Sequence, residues 1–273
     1  MALGPIVTSD WLRTHHDGDD DLVICDVRAY LDGRSGREAY ERGHIEGARF
    51  IDLDTVLAAP AGPVVGRHPL PDPEAFAAGL SLAGIGHGTS VVAYDDAGGM
   101  IAGRLVWMLR IHGQPAALLN GGIDGWPGEL TTESPESIPV VHPPRPWPER
   151  SIVDADQVAA AIADGRLVID SRGEARYRGE HEPIDPKAGH IPGAFNLPFE
   201  DNLVSGSFRP LEELKVRFQA AHVDDETIFY CGSGVSACHN LLAAEAAGFG
   251  LGKLYVGSWS GWASDDGRPT ATL

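Results

Sequence analysis

Four short segments occur twice in this chain, in the same order and at nearly the same spacing. Leu22-Val23-Ile24-Cys25-Asp26-Val27-Arg28 matches Leu167-Val168-Ile169-Asp170-Ser171-Arg172. Gly43-His44-Ile45-Glu46-Gly47-Ala48 matches Gly189-His190-Ile191-Pro192-Gly193-Ala194. Val91-Val92-Ala93-Tyr94-Asp95 matches Thr227-Ile228-Phe229-Tyr230-Cys231, and Asn120-Gly121-Gly122-Ile123-Asp124-Gly125-Trp126 matches Val256-Gly257-Ser258-Trp259-Ser260-Gly261-Trp262. Chance does not give four ordered matches at one spacing. The chain therefore reads as a duplicated domain, with small insertions producing the drift, and 273 residues suffice for two domains of ordinary size.

Between the halves, residues 131–150 carry six prolines in the run Pro135, Pro139, Pro143, Pro144, Pro146 and Pro148. Proline fixes φ and lacks an N–H, so this stretch can build neither a helix nor a central strand and reads as an extended linker. The expected division is a domain over 1–130, a linker over 131–150 and a second domain over 151–273. Within each half, short apolar runs alternate with amphipathic stretches. In the second half, residues 167–170 and 227–230 read as buried strands. Residues 211–221 and 236–247 read as helices, the latter stopped by Gly248. Buried strands alternating with helices predict an α/β fold: two domains, each a mostly parallel sheet with helices on both faces. Such sheets bind ligands at the carboxyl ends of their strands.

Composition narrows the function classes. Thirty-nine acidic against 21 basic residues give a formal net charge of −18. A surface this acidic repels nucleic-acid phosphates and anionic lipid heads, so neither is an expected partner. A small anionic substrate would need a local positive pocket. No apolar run reaches the roughly 20 residues that span a bilayer, and no secretory signal is visible at the N-terminus, so the expected compartment is the cytoplasm. The three cysteines, Cys25, Cys231 and Cys238, form no CxxC pair, which argues against a disulfide framework or a structural zinc site. No metal and no organic cofactor is expected, since neither a ligand cluster nor a nucleotide fingerprint occurs. The charge runs at 34–37 and 17–21 read as solvated faces.

Cys231 opens the loop Cys231-Gly232-Ser233-Gly234-Val235-Ser236, which follows a strand and leads into a helix. Local sequence leaves two readings of it. A free cysteine is commonly a small buried hydrophobe. The glycines at 232 and 234 favour the other reading. They let successive N–H groups turn inward beside a helix N-terminus, an arrangement that stabilises an anion, thiolate or persulfide alike.

The loop Cys-Gly-Ser-Gly-Val-Ser-Ala resembles the active-site loop of the rhodanese superfamily, in particular its mercaptopyruvate sulfurtransferase branch. The resemblance extends over nearly the whole chain through the Asp-x-Arg segments, the Gly-His-Ile-x-Gly-Ala segments and the ending Gly257-Ser258-Trp259-Ser260-Gly261-Trp262. It implies two tandem rhodanese-like domains with one catalytic cysteine, in the second. Asp95 stands where Cys231 stands in the repeat and cannot form a persulfide, so the first domain is expected to be inactive. It also implies a persulfide carried on Cys231, and substrate contacts from Gly232, Gly234, Val235 and Ser236. Rhodanese-like phosphatases carry an arginine near the end of a slightly longer loop. Ala237 occupies that region here, which argues against a phosphatase.

The same resemblance bears on the donor. Thiosulfate-type members carry basic residues just after the cysteine, whereas this loop has Gly232 and Ser233. In mercaptopyruvate enzymes the loop serine works with a histidine and an aspartate of the first domain. That assigns Ser233, His68 and Asp54, with Asp52 a rival for the last. Read without the family, His68 is a solvated loop histidine. Arg176 matches a substrate-binding arginine. A second arginine commonly follows the next Glu-Pro, but here Glu182-Pro183 leads into Ile184-Asp185, and Lys187, Arg178 and Arg104 are the substitutes on offer. The missing arginine keeps thiosulfate as an alternative donor. A thiol such as a thioredoxin-like protein is the implied acceptor, and a monomer is expected. A non-catalytic rhodanese-fold binding module is the remaining reading, opposed by the intact Cys231 loop. Asp170 with Arg172, and His190, read as structural. Trp259 and Trp262 read as packing near the loop, and Cys25 and Cys238 as core.

Overall fold

The computed structural model describes residues 3–16, 21–136 and 138–273, so most of the acidic run at 17–21 lies outside the described residues. The chain forms two compact units. One comprises Met1–Ala59, Pro71–Trp147 and Val204–Phe208; the other comprises Pro60–Leu70, Pro148–Leu203 and Arg209–Leu273. The segment Pro60–Leu70 thus belongs structurally with the second half, although it lies in the first half of the sequence.

Each unit is built on a five-stranded parallel sheet flanked by helices, the α/β architecture that the alternating pattern predicts. In the first unit the strands run in the order Ile6–Val7, Ala116–Leu119, Ser90–Tyr94, Leu22–Asp26, Arg49–Phe50. In the second the order is Ile152–Val153, Lys253–Tyr255, Ile228–Tyr230, Val168–Asp170, Phe195–Asn196. The two orders are the same topology repeated. Every central strand is buried on both faces, which is why its sequence is a continuous apolar run rather than an alternating one. The helix read over 211–221 spans Leu211–Ala220, and the one read over 236–247 spans Ser236–Ala246, with Gly248 at φ 92° just beyond its end.

The duplication extends to individual hydrogen bonds. Arg28 Nη2 donates to Asp26 Oδ2 at 2.6 Å and to Gly43 O at 2.7 Å; Arg172 Nη2 donates to Asp170 Oδ2 at 2.6 Å and to Gly189 O at 2.7 Å. His44 stacks on Tyr40 with its Nδ1 2.8 Å from Tyr40 O, and His190 stacks on Tyr177 with its Nδ1 2.8 Å from Tyr177 O. These ion pairs are buried, and each guanidinium ties a strand end to the Gly-His-Ile turn. The repeated motifs are therefore clips that fix where the strands stop.

The proline-rich segment is not a free tether. Val140 N donates to Ser81 O at 3.1 Å, and Trp147 Nε1 donates to Pro71 O at 2.8 Å. The Trp147 ring lies 5.2 Å from Phe76 and 5.1 Å from His112. Proline stiffness keeps the segment extended while these contacts lay it along the first unit. No helix among the described residues is long and apolar enough to cross a membrane.

Candidate active site

Cys231 sits at the carboxyl end of the central strand Ile228–Tyr230, the position where parallel sheets present ligands. Its side chain is 1% exposed. Three features orient the loop after it. Trp259 N donates to Cys231 O and Ser260 N to Gly232 O, each at 2.9 Å, so those two carbonyls are turned toward the helix Ser258–Ser264. Ser258 Oγ accepts the N–H of Cys231 at 3.2 Å and donates to Tyr255 O at 2.9 Å. Gly234, at φ 77°, donates its N–H to Cys231 Sγ at 3.2 Å. Val235 then occupies the cap position of the helix Ser236–Ala246, whose N-terminus faces the same loop. A sulfur held here accepts a backbone N–H at the start of a helix.

The twin loop in the first unit shows the same cradle already filled. Asp95 Oδ1 accepts N–H groups from Ala97 at 2.9 Å and Gly99 at 2.7 Å; Oδ2 accepts from Ile101 at 2.7 Å and Ala102 at 2.8 Å. The carboxylate is wholly buried. In the first unit the strand, loop and helix N-terminus thus close around the protein's own Asp95 side chain, where the second unit has Cys231.

His68 and Ser233, 165 positions apart, meet in the second unit with His68 Nδ1 2.8 Å from Ser233 Oγ. Ser233 is 8% exposed and His68 half-buried. The segment Pro60–Leu70 is placed for this by the Gly-Ser-Trp-Ser-Gly-Trp motif. Ser260 Oγ accepts the N–H of Arg67 at 3.1 Å, and Val64 O packs on Gly261. A Cβ on Gly261 would stand 2.6 Å from Val64 O. Gly261→Ala is therefore expected to lower stability in urea unfolding by about 1–3 kcal/mol, the ordinary cost of overpacking. An unchanged midpoint would mean that the segment yields freely there.

Asp54 lies exposed in the first unit's short helix Leu53–Val56. Asp52 caps that helix, its Oδ1 accepting from Thr55 N and Thr55 Oγ1, both at 2.8 Å.

Arg176 stands in the helix Glu174–Arg178, and its guanidinium approaches the catalytic loop: a Cβ on Gly232 would lie 3.4 Å from its Nη1 and 3.6 Å from its Nη2. Arg176 Nη2 also donates to Glu182 Oε1 at 2.7 Å and Asp185 Oδ2 at 3.0 Å. The three cations offered for the missing arginine have partners of their own. Lys187 Nζ pairs with Asp266 at 3.0 Å, Arg178 pairs with Glu180 at 2.8 Å, and Arg104 is buried in the first unit with its Nε 3.5 Å from Leu57 O. A second guanidinium that reaches the loop beside that of Arg176 belongs to Arg67, which the sequence pattern does not single out. Its Nη2 would lie 2.8 Å from a Cβ on Gly232, and its Nη1 pairs with Asp185.

The two carboxylates of this cluster differ. Burial pushes Glu182 up, but the Arg176 guanidinium and the N–H groups of Asp185 and Ile184 outweigh it and hold Glu182 below its ordinary value. Burial pushes Asp185 up, with Arg67 pulling the other way and Glu182 adding repulsion, and its carboxyl ends above its ordinary value.

The rhodanese-like domain model matches this chain twice, over residues 8–129 and 154–265. A probable 3-mercaptopyruvate sulfurtransferase of Pseudomonas aeruginosa is 44% identical, covering 100% of this chain and 99% of its own. The thiosulfate sulfurtransferase of Bos taurus is 34% identical over 88% of this chain and 84% of its own. Among solved structures, that of the 3-mercaptopyruvate sulfotransferase SseA from Escherichia coli matches at TM-score 0.82 and 30% identity, covering 94% of this chain and 99% of that one. With both halves matched, on a duplicated parallel sheet and a cysteine loop of the expected form, the chain belongs to the rhodanese-like domain family.

Proposed function

We propose that this protein is a sulfurtransferase that takes sulfur from 3-mercaptopyruvate onto Cys231 and passes it to a thiol or to cyanide. The observation that carries the choice of donor is the 2.8 Å approach of His68 Nδ1 to Ser233 Oγ beside the cysteine loop. In the first half-reaction the Cys231 thiolate attacks the donor sulfur. An S–S bond forms, the donor's C–S bond breaks, and its electron pair becomes the enolate of pyruvate. Ser233 gives its hydroxyl proton to the enolate carbon and regains one from His68, so the leaving group departs as pyruvate. In the second half-reaction an acceptor thiolate or cyanide attacks the outer sulfur, forming a new persulfide or thiocyanate and returning Cys231 as thiolate.

The backbone N–H groups of Gly232, Gly234, Val235 and Ser236 are assigned to the persulfide and the donor, and Arg176 to the donor's carboxylate. Asp54 is assigned as the carboxylate partner of the imidazole on the family resemblance. The first unit's loop, filled by Asp95, carries no sulfur. No metal or organic cofactor enters this scheme, and the expected compartment is the cytoplasm. The acceptor fits a small or protein-borne thiol. Thiosulfate is the second reading, favoured by Ile184 standing where the resemblance implies an arginine. The comparison of kcat/KM for the two donors, with cyanide as acceptor, decides between them. Mercaptopyruvate is expected to win by at least about tenfold, since leaving-group protonation contributes only for that donor. A clear preference for thiosulfate would overturn the donor assignment.

A further inference from the structure

We propose that Arg67, together with Arg176, receives the anionic end of the sulfur donor, and that Asp185 holds this paired-guanidinium site until the donor arrives. The inference rests on the sulfurtransferase reading above and deepens it.

Both guanidiniums converge on one glycine of the cysteine loop. A Cβ on Gly232 would meet Arg67 Nη2 at 2.8 Å and Arg176 Nη1 at 3.4 Å, so the absence of a side chain there is what admits them. Both are partly open to solvent, with side chains 26% and 21% exposed, whereas the carboxylates behind them, Glu182 and Asp185, are each 3% exposed. Asp185 bridges the pair, Oδ1 to Arg67 and Oδ2 to Arg176 at 3.0 Å. One carboxylate across two guanidiniums is the contact that a donor carboxylate would itself make.

The charges explain why a stand-in is needed. Arg67, Arg172 and Arg176 face Asp170, Glu182 and Asp185, so the cluster is neutral as it stands. A donor carboxylate would be the fourth against three guanidiniums, so its entry is favoured when one of these three gives way. Asp170 is locked to Arg172 at 2.6 Å. Glu182 is held by Arg176 and by the N–H groups of Ile184 and Asp185 at 3.1 and 3.0 Å. Asp185 lacks such N–H support, and burial holds its carboxyl above its ordinary value while Glu182 is held below, so of these two Asp185 is the more readily exchanged. Arg67 thereby supplies from the segment Pro60–Leu70 the second cation that Ile184 cannot.

The test compares wild type, Arg67→Ala, Arg67→Lys and Asp185→Asn on 3-mercaptopyruvate and on mercaptoacetone, which keeps the thiol and the ketone but has a methyl in place of the carboxylate. Arg67→Ala is expected to raise KM for mercaptopyruvate by about 10- to 100-fold, the worth of a charge-assisted hydrogen bond. The loss on mercaptoacetone should be much smaller. Arg67→Lys should recover part of the loss, and Asp185→Asn should lower KM for mercaptopyruvate. Equal losses on both donors would make Arg67 a prop for its segment and overturn the proposal; so would an unchanged KM for mercaptopyruvate. Were wild type to turn over thiosulfate and ignore mercaptopyruvate, the donor assignment would fall. The paired site would then be judged by the KM for thiosulfate in the same variants, an unchanged value overturning it.

Discussion

Cys231→Ser is expected to abolish sulfur transfer from mercaptopyruvate and from thiosulfate alike, by at least about 10⁴-fold in kcat, the scale seen when a covalent nucleophile is removed. The reasoning is local. Cys231 Sγ is buried at the end of a central strand and takes the Gly234 N–H at 3.2 Å. A serine hydroxyl fits the same space and accepts the same bond, but it cannot carry sulfur as a persulfide. Folding should therefore survive while chemistry does not. Wild type treated with donor alone should gain the mass of one sulfur atom, and the variant none. Neither other cysteine can substitute. Burial pushes the Cys25 thiol up to about 12, with Arg49 opposing, so it stays protonated at neutral pH. Cys238 Sγ donates to Gly234 O at 3.4 Å inside the helix that follows the loop. Retained turnover with any donor in the variant would overturn the persulfide scheme and, with it, both donor readings.

Much of this was written in the sequence because much of it is local. The strand ends were legible because Asp26 and Arg28, and Asp170 and Arg172, pair across only two positions. The cysteine loop was legible because strand, glycines and helix follow one another directly. What was not legible depends on distant approach. Nothing along the chain says that Pro60–Leu70 packs with the second half, because that is settled by the N–H of Arg67 on Ser260 Oγ and by the close fit of Val64 O to Gly261. Arg67 was overlooked for that reason, although an arginine beside a candidate catalytic histidine in so acidic a chain was a signal. Ser258 stands in the sequence only as one position of a repeated segment, yet its hydroxyl anchors the first peptide of the loop from a left-handed backbone at φ 51°. A non-glycine residue there carries strain of order 1 kcal/mol that only the finished tertiary structure can offset.

Ser233→Ala and His68→Asn should separate the donors. With mercaptopyruvate, cleavage of the C–S bond leaves an enolate that must be protonated on carbon. With thiosulfate the leaving group is sulfite, an anion stable without a proton. Both variants should therefore lose about 10²- to 10⁴-fold in kcat with mercaptopyruvate, the usual worth of a positioned acid. Their losses with thiosulfate should be far smaller. The two single variants and the double variant should lose similar amounts, because one proton path runs through the 2.8 Å contact and is cut by either change. Asp54→Asn adds a graded probe: a smaller, mercaptopyruvate-specific loss would fit a carboxylate that orients the imidazole, and no loss would remove Asp54 from the scheme. Equal losses with both donors would make the His68–Ser233 pair a support for the loop rather than a proton relay. In that case the preference for mercaptopyruvate, if measured, would have to rest on the arginines around Gly232 alone, and the Arg67 variants would then carry the whole of the donor selectivity.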